Sequence, residues 1–384
     1  MVAPSRVYLA PGMFGFARLA SFEYFEHVTL ALEERFRAHG RPVQVHICEV
    51  HPTSSVRRRA AKLARVVAST AGDDDGPIHL VGHSTGGLDA RLIASPGVHL
   101  GDGGHDAGRP GAAPLGWTPR LRSVTSLNTP HYGTPLASFF ATVSGQRMLY
   151  ALSAFTVAAL KLGAPPLAAT SALVAAFGRA PLAVFELELV DRAVEATIRV
   201  LDEASSRELR AWLKLLRDDQ GGIVQIMPEA MDLFQAGVAD RPGVRYQCVA
   251  TFAPARAATD WIAALRTPWA ALSATIFALL YGITARHDDR YPCAPPDGSA
   301  QRRVRELLGE TPPHDASDGI VPLYSQVYGE LLWVGKADHL DIVGHFPGPP
   351  RHHDWMSSGA RFNRVRFDVV MDRIVAGMLA AEGS

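Results

Sequence analysis

Residues 77–94 read PIHLVGHSTGGLDARLIA, and this stretch decides the fold. It begins with a short apolar run typical of a buried strand and ends with the apolar spacing of a helix. Between them, residues 82–86 (GHSTG) match the pattern G-x-S-x-G. A strand–turn–helix setting favours a nucleophile elbow over an ordinary glycine-rich turn, because such an elbow exposes its serine at the carboxyl edge of a sheet. Ser84 is therefore the predicted nucleophile.

The sequence on both sides of this stretch alternates strand-like and helical segments. Alternation of this kind predicts an α/β fold, with a mostly parallel central sheet and helices on both faces. Strand-like runs lie at 5–10, 41–50, 121–130, 244–252 and 330–337, helical spacing at 54–70, and a terminal helix at 362–381. Residues 137–243 are rich in Ala, Leu and Val and contain no strand-like alternation. We predict a core domain formed by residues 1–136 and 244–384, with 137–243 inserted as a helical lid or cap.

The composition is typical of a globular enzyme, and its charge balance does not indicate a strongly charged partner. Lys plus Arg and Asp plus Glu both number 38, so the formal charge is zero, which gives no reason to expect nucleic acid as a partner. Three scattered cysteines fit neither a disulfide framework nor a zinc site, and Cys48 and Cys248 fall in apolar runs that predict burial. The first residues lack the pattern of a signal peptide. A cytoplasmic protein and a secreted one whose signal is absent from this chain both remain open.

A serine hydroxyl needs a base and an acid that orients the base, and in this fold the chain order is Ser, acid, His. The acid predicted here is Asp318, in the turn SDGIVP at 317–322, with Asp315 as the alternative. The predicted base is His339, which directly follows the strand-like run 330–337 and comes about twenty residues after the acid. Other histidines remain candidates for the base: His345, His352 and His353.

Two backbone N–H groups are needed to stabilise the oxyanion of acyl transfer. The residue after the nucleophile, Thr85, is predicted to supply one of them. The other is expected from the loop after the first strand, residues 11–15 (PGMFG), whose glycines leave the backbone free to aim the Met13 amide inward. An ordinary strand-to-helix turn is the alternative interpretation of that loop.

These motifs together resemble the bacterial triacylglycerol lipases of the α/β-hydrolase superfamily. The resemblance rests on residues 12–15, 82–87, 124–133, 317–322 and 338–346, which occur in the order of the family. It implies an α/β-hydrolase fold and a serine ester hydrolase (lipase or esterase) that acts on acyl-ester or lipid substrates, with contact to a lipid–water interface. The insertion at 137–243 occupies the place of the family's helical lid. No cofactor is expected for the chemistry itself.

The same resemblance implies a structural calcium ion at Asp341. In the family members with a calcium site, the residue two after the catalytic histidine is an aspartate ligand, and His339-Leu340-Asp341 reproduces that spacing. A carboxylate suits a hard cation. The family's oxygen donor four residues further on is replaced here by His345, a poor calcium ligand, and Asp260 is the candidate for the second aspartate.

Other functions share some of these residues. An acyltransferase or an amidase would use the same triad of Ser84, Asp318 and His339, and a non-catalytic lipid-binding member of the fold would not need it. Metal-dependent hydrolysis would draw on a glycine-rich loop that contains His99, Asp102, His105 and Asp106. That spacing matches no compact metal motif, which makes solvated polar residues the better interpretation.

Overall fold

The computed structural model describes residues 3–13, 18–19, 22–100, 115–162, 194–196, 198–199, 201–254, 268–348, 354 and 356–383. Within these residues, six parallel strands form one sheet in the order β4-β1-β5-β6-β7-β8. Their bounds are β1 Ser5–Ala10, β4 Val43–Ile47, β5 Ile78–His83, β6 Leu121–Leu127, β7 Arg245–Phe252 and β8 Glu330–Lys336. A separate antiparallel pair, β2 Arg18–Leu19 and β3 Phe22–Glu23, follows β1.

The strand order places the carboxyl ends of β1 and β5 side by side. The chain runs from β1 outward to β4 and then returns past β1 to β5, so the order reverses between β1 and β5. In open parallel sheets, ligands bind in the crevice at the carboxyl ends of the strands at such a reversal. The loop after β1 and the turn after β5 both reach this crevice.

Helices cover both faces of the sheet, which confirms the predicted layers. Their bounds are α1 Glu26–Ala38, α2 Val56–Thr70, α3 Thr85–Ala94, α4 Pro135–Phe140, α5 Val143–Leu162, α6 Glu203–Asp218, α7 Gly221–Gln225, α8 Pro228–Gly237, α9 Pro268–Thr284, α10 Ser299–Leu308 and α11 Arg364–Glu382. Strand β1 contacts the helices on both faces, because successive side chains of a strand point to opposite faces of the sheet. Val7 and Leu9 pack with α1 and α11, whereas Tyr8 and Ala10 pack with α2 and α3.

The three cysteines are free thiols, and burial of Cys48 and Cys248 is confirmed.

The helices after β6 form an apolar layer. This layer contains residues of both the predicted core domain and the predicted insertion. Helix α4, which begins two residues before the predicted insertion, and helix α5 within it share one apolar cluster with α9, which lies outside it, through Leu136, Leu149 and Phe277. The boundaries of the insertion therefore stay a prediction. Among the described residues, no helix is both long enough and apolar enough to span a membrane.

Candidate active site

Ser84 stands in a strained turn between β5 and α3. Its φ is 54° and its ψ is −129°, a backbone conformation that non-glycine residues rarely adopt and that clusters at active sites. The turn is held by two backbone bonds: Ser84 N–H donates to Leu127 O at 2.8 Å, and Gly87 N–H donates to Ser84 O at 3.1 Å. This geometry is that of a nucleophile elbow.

The glycines of the motif allow the strand and the helix to come into contact. A Cβ atom at Gly82 would lie 2.2 Å from the backbone of Gly86, and one at Gly86 would lie 2.1 Å from Ala10 O. Both distances are far below van der Waals contact, so only glycine fits at either position. The spacing G-x-S-x-G is therefore a packing requirement of the turn that carries Ser84.

The predicted acid and base lie against each other. His339 Nδ1 is 2.7 Å from Asp318 Oδ2, and His339 N–H donates to Asp318 O at 3.1 Å. The second carboxylate oxygen, Oδ1, accepts from the Ile320 N–H at 2.9 Å and from the Val321 N–H at 2.7 Å. Both side chains are buried. Three bonds thus fix the carboxylate and a fourth joins the two backbones, which sets the orientation of the imidazole.

The alternative residues lie elsewhere. The negative charge of Asp315 acts to raise the pKa of His287 and of Tyr281. The carboxylate that bonds His339 is that of Asp318. His345 is buried and its Nε2 lies 3.2 Å from Tyr24 O. His99 is exposed, with Nδ1 3.0 Å from Gly97 O. The remaining candidates fall outside the described residues: His352, His353, Asp102, His105 and Asp106.

The loop after β1 passes directly over Ser84. A Cβ atom at Gly12 would lie 2.6 Å from Ser84 Cβ and 3.2 Å from Ser84 Oγ. Met13 follows and is half-buried, whereas residues 14–17 lie outside the description. Thr85 begins α3, so its backbone N–H belongs to the first helical turn, where N–H groups have no acceptor within the helix. The expected oxyanion donors therefore belong to segments on either side of Ser84.

Apolar residues from three site loops meet the helical layer described above. Met13, Ile320 and Leu340 all pack against the cluster formed by α4, α5 and α9. Helix α9 also bonds the acid loop, because Thr284 Oγ1 donates to Gly319 O at 3.1 Å. The surroundings of the site are thus apolar on the side of this layer.

Sequence reasoning missed a buried arginine behind the site. Arg59 lies in a run of three arginines on α2, and its side chain is buried. Its guanidinium donates to the carbonyl of Pro11, at the start of the loop that covers Ser84, and to His51 O at 2.9 Å. Tyr24 was also missed, and it contacts His83 beside the nucleophile. No local motif marks Tyr24, whereas three consecutive arginines at 57–59 within one helical turn could have indicated that one faces inward.

Asp341 is buried next to a second carboxylate. Asp338 N–H donates to Asp341 Oδ2 at 2.9 Å, and Asp341 N–H donates to Asp338 Oδ1 at 3.1 Å. Burial raises the pKa of both Asp338 and Asp341 well above the usual range, and the negative charge of Asp354 raises both further. The charge of Asp338 also raises the pKa of Asp341. Two adjacent buried carboxylates suit a hard cation. The described residues contain no group of three His, Cys, Asp or Glu side chains placed to hold a metal, and Asp260 lies outside them, so calcium stays a prediction.

Comparison with solved structures identifies the fold. Lipase 1 from Pelosinus fermentans is 15% identical and has a TM-score of 0.50, covering 94% of this chain and 98% of its own. Staphylococcus hyicus lipase is also 15% identical with a TM-score of 0.50, covering 99% of this chain and 97% of its own. The fold is that of the α/β-hydrolases.

Two further comparisons found no relative. No family model matches the chain, and no curated protein sequence matches it. At the identities given above, likeness to the two lipases establishes the α/β-hydrolase fold alone. The resemblance to bacterial triacylglycerol lipases therefore enters the function only as a proposal.

Proposed function

We propose that this protein is a serine carboxylic-ester hydrolase that cleaves acyl esters through an acyl-serine intermediate. The observation that carries the proposal is the contact between the residue before Ser84 and the predicted base, His339. Ser84 directly follows His83, whose ring centroid lies 4.6 Å from that of His339, and His339 is bonded to Asp318. A strained serine whose chain neighbour contacts a histidine oriented by a buried carboxylate supports the triad arrangement that acyl transfer needs.

The chemistry follows from which nitrogen of His339 is free. Nδ1–H donates to Asp318, which leaves the Nε2 lone pair to take the proton of Ser84 Oγ as that oxygen attacks the ester carbonyl. The oxyanion accepts the N–H groups of Met13 and Thr85. The carbon–oxygen bond to the alcohol then breaks, and His339 returns the proton to the leaving alkoxide. Water, deprotonated by His339, releases the acid from Ser84, and the serine regains its proton.

The apolar layer supports an acyl chain as the part of the substrate that is recognised. Met13, Ile320 and Leu340 connect the three site loops to the cluster of α4, α5 and α9. Burial of each methylene against such a surface contributes about 0.8 kcal/mol, so longer acyl chains gain binding energy there. We propose that the helices of residues 137–243 act as a lid that covers the site in water and lines an acyl groove when it is displaced at a lipid–water interface.

A series of p-nitrophenyl esters from acetate to palmitate tests the proposal, with and without detergent and with product analysis in the presence of an added alcohol. The proposal predicts free acid as the main product and a preference for esters longer than acetate. Transfer of the acyl group mainly to the added alcohol would assign an acyltransferase instead. Failure of the folded protein to cleave any ester in the series would contradict the proposal.

A further inference from the structure

A buried histidine directly precedes the nucleophile and contacts the base. His83 is the last residue of β5, and its side chain is fully buried. Its Nε2 lies 2.8 Å from His339 O, and its Nδ1 lies 2.5 Å from the Tyr24 hydroxyl. The mechanism proposed above gives His83 no chemical step, so these two bonds need another explanation.

The partners of His83 determine its tautomer. A carbonyl oxygen can only accept, so the nitrogen that faces His339 O carries the proton. Nδ1 is then the acceptor, and the Tyr24 hydroxyl donates to it. The backbone of Gly12 interacts with the same Tyr24 hydroxyl. Two directed hydrogen bonds thus run from Tyr24 through His83 to the carbonyl of His339, and they start beside the backbone of Gly12.

These hydrogen bonds join three segments whose relative positions matter for catalysis. Gly12 lies in the loop over Ser84, His83 precedes Ser84 on the same strand, and His339 is the proposed base. A second bond ties Tyr24 to the loop of the base, because His345 Nε2 lies 3.2 Å from Tyr24 O. The carbonyl of His339 also faces Asn128 Nδ2 at 3.5 Å, from the end of the neighbouring strand β6. The backbone of the base is therefore held on its N–H side by Asp318 and on its C=O side by His83.

The charge of His83 suits this role. Burial lowers the pKa of His83 well below its usual value, and the nearby imidazole of His339 lowers it further. A neutral His83 leaves His339 free to carry the positive charge that forms when it takes the serine proton. It also keeps the tautomer that the hydrogen-bond chain requires.

We infer that His83 is a positioning residue, oriented by Tyr24, that aligns the backbone of His339 with Ser84 and with the oxyanion loop. The inference rests on the proposed function, since it assigns a role within the same site. Small errors of alignment at such sites are costly, because a displacement of 1 Å can reduce the rate by roughly 10²-fold. The effect is expected in the rate of acylation, because neither residue is placed to contact the substrate.

The test compares His83→Phe with His83→Gln in burst kinetics on p-nitrophenyl butyrate, with melting temperatures measured alongside. Phenylalanine removes both hydrogen bonds, whereas glutamine keeps an amide N–H that can reach His339 O. The acylation rate constant of His83→Phe should fall by roughly 10²-fold with little change in the dissociation constant of the substrate, and His83→Gln should recover most of that loss. His79→Phe is the matched control, because His79 is equally buried on β5 and bonds Ser123 and Glu382 away from the site.

If His83→Phe does not fold, Tyr24→Phe tests the inference instead. It removes only the hydroxyl that fixes the tautomer, and it should lower the acylation rate by roughly tenfold or more. Tyr8→Phe is its control, since Tyr8 is also buried and its hydroxyl bonds Thr70 on α2. Tyr8→Phe should acylate at the rate of the unmutated protein.

The outcomes separate this inference from the proposed function. If a fluorophosphonate labels Ser84 in the unmutated protein and the folded His83 and Tyr24 variants acylate at its rate, the inference is wrong and the proposed function stands. Equal loss of activity in His83→Phe and His79→Phe, in proportion to lost stability, would also overturn it. Absence of Ser84 labelling in the unmutated protein would instead contradict the proposed function.

Discussion

Arg59 and Asp89 form an ion pair inside the protein, with Nη2 of the arginine 2.8 Å from Oδ2 of the aspartate and both side chains almost fully buried. Arg59 lies on α2, and Asp89 lies on α3, the helix that begins beside Ser84. The same guanidinium bonds the carbonyl of Pro11, at the start of the loop after β1. One buried cation thus connects α3 to the loop that covers Ser84.

Replacement of Arg59 by methionine should destabilise the protein strongly. It leaves the Asp89 carboxylate buried without its partner, and breaking a buried pair in this way costs about 3–5 kcal/mol. Arg58→Met is the control, because Arg58 is 47% exposed and its ion pair with Asp219 lies at the surface. That change should cost at most about 1 kcal/mol. Urea unfolding measures both, and equal losses in the two variants would contradict the assignment of Arg59 to a structural role at the site.

Asp318→Asn should reduce kcat by a factor on the order of 10³–10⁴, because an amide no longer fixes the tautomer of His339. Asp315→Asn should retain kcat, since the hydrogen bond to His339 comes from Asp318. Steady-state kinetics on a p-nitrophenyl ester measure both variants. A large loss in Asp315→Asn with full activity in Asp318→Asn would show that the acid has been misassigned.

A polar residue in the apolar layer should change the preference for acyl-chain length. Leu152 on α5 packs against the cluster beside the site, so Leu152→Gln should lower kcat/KM for decanoate esters more than for acetate esters. Leu233→Gln provides the control, since Leu233 on α8 is 78% exposed. An equal loss on both esters in Leu152→Gln would assign the layer to structure alone. The apolar sequence of α5 predicts the same effect for polar substitutions at Phe155 and Leu160, whose side chains lie outside the described ones.

If calcium binds at Asp341, its removal should destabilise the protein. A ligand that binds only the native state stabilises it by about 2.7 kcal/mol at 100 times its Kd. Melting in EGTA should therefore lower Tm by several degrees relative to excess calcium, and Asp341→Asn should abolish the difference. Identical melting curves with and without calcium would remove the site.

The sheet and the elbow could be predicted from local sequence, because each depends on a short continuous segment. The apolar runs identified all six strands of the parallel sheet, and GHSTG identified the turn at Ser84. The chain order of the fold selected Asp318 and His339, which the structure brings within 2.7 Å of each other.

The contacts behind the site could not be predicted in the same way. Tyr24 lies 59 residues from its partner His83 in the sequence, and nothing near either residue indicates that they meet. Arg59 belongs to a run of charged residues that is typical of an exposed helix face, and only the packing of α2 against α3 places it inside. Such pairings depend on how elements pack together, which local patterns do not encode.

The most direct test of the central claim is covalent trapping of Ser84. Intact mass and peptide analysis after treatment with a fluorophosphonate should show one adduct, located on the peptide that contains Ser84. Ser84→Ala should show no adduct and should lose ester hydrolysis down to the residual level that an oxyanion hole alone supports. An adduct on another residue, or full hydrolysis by Ser84→Ala, would contradict the account.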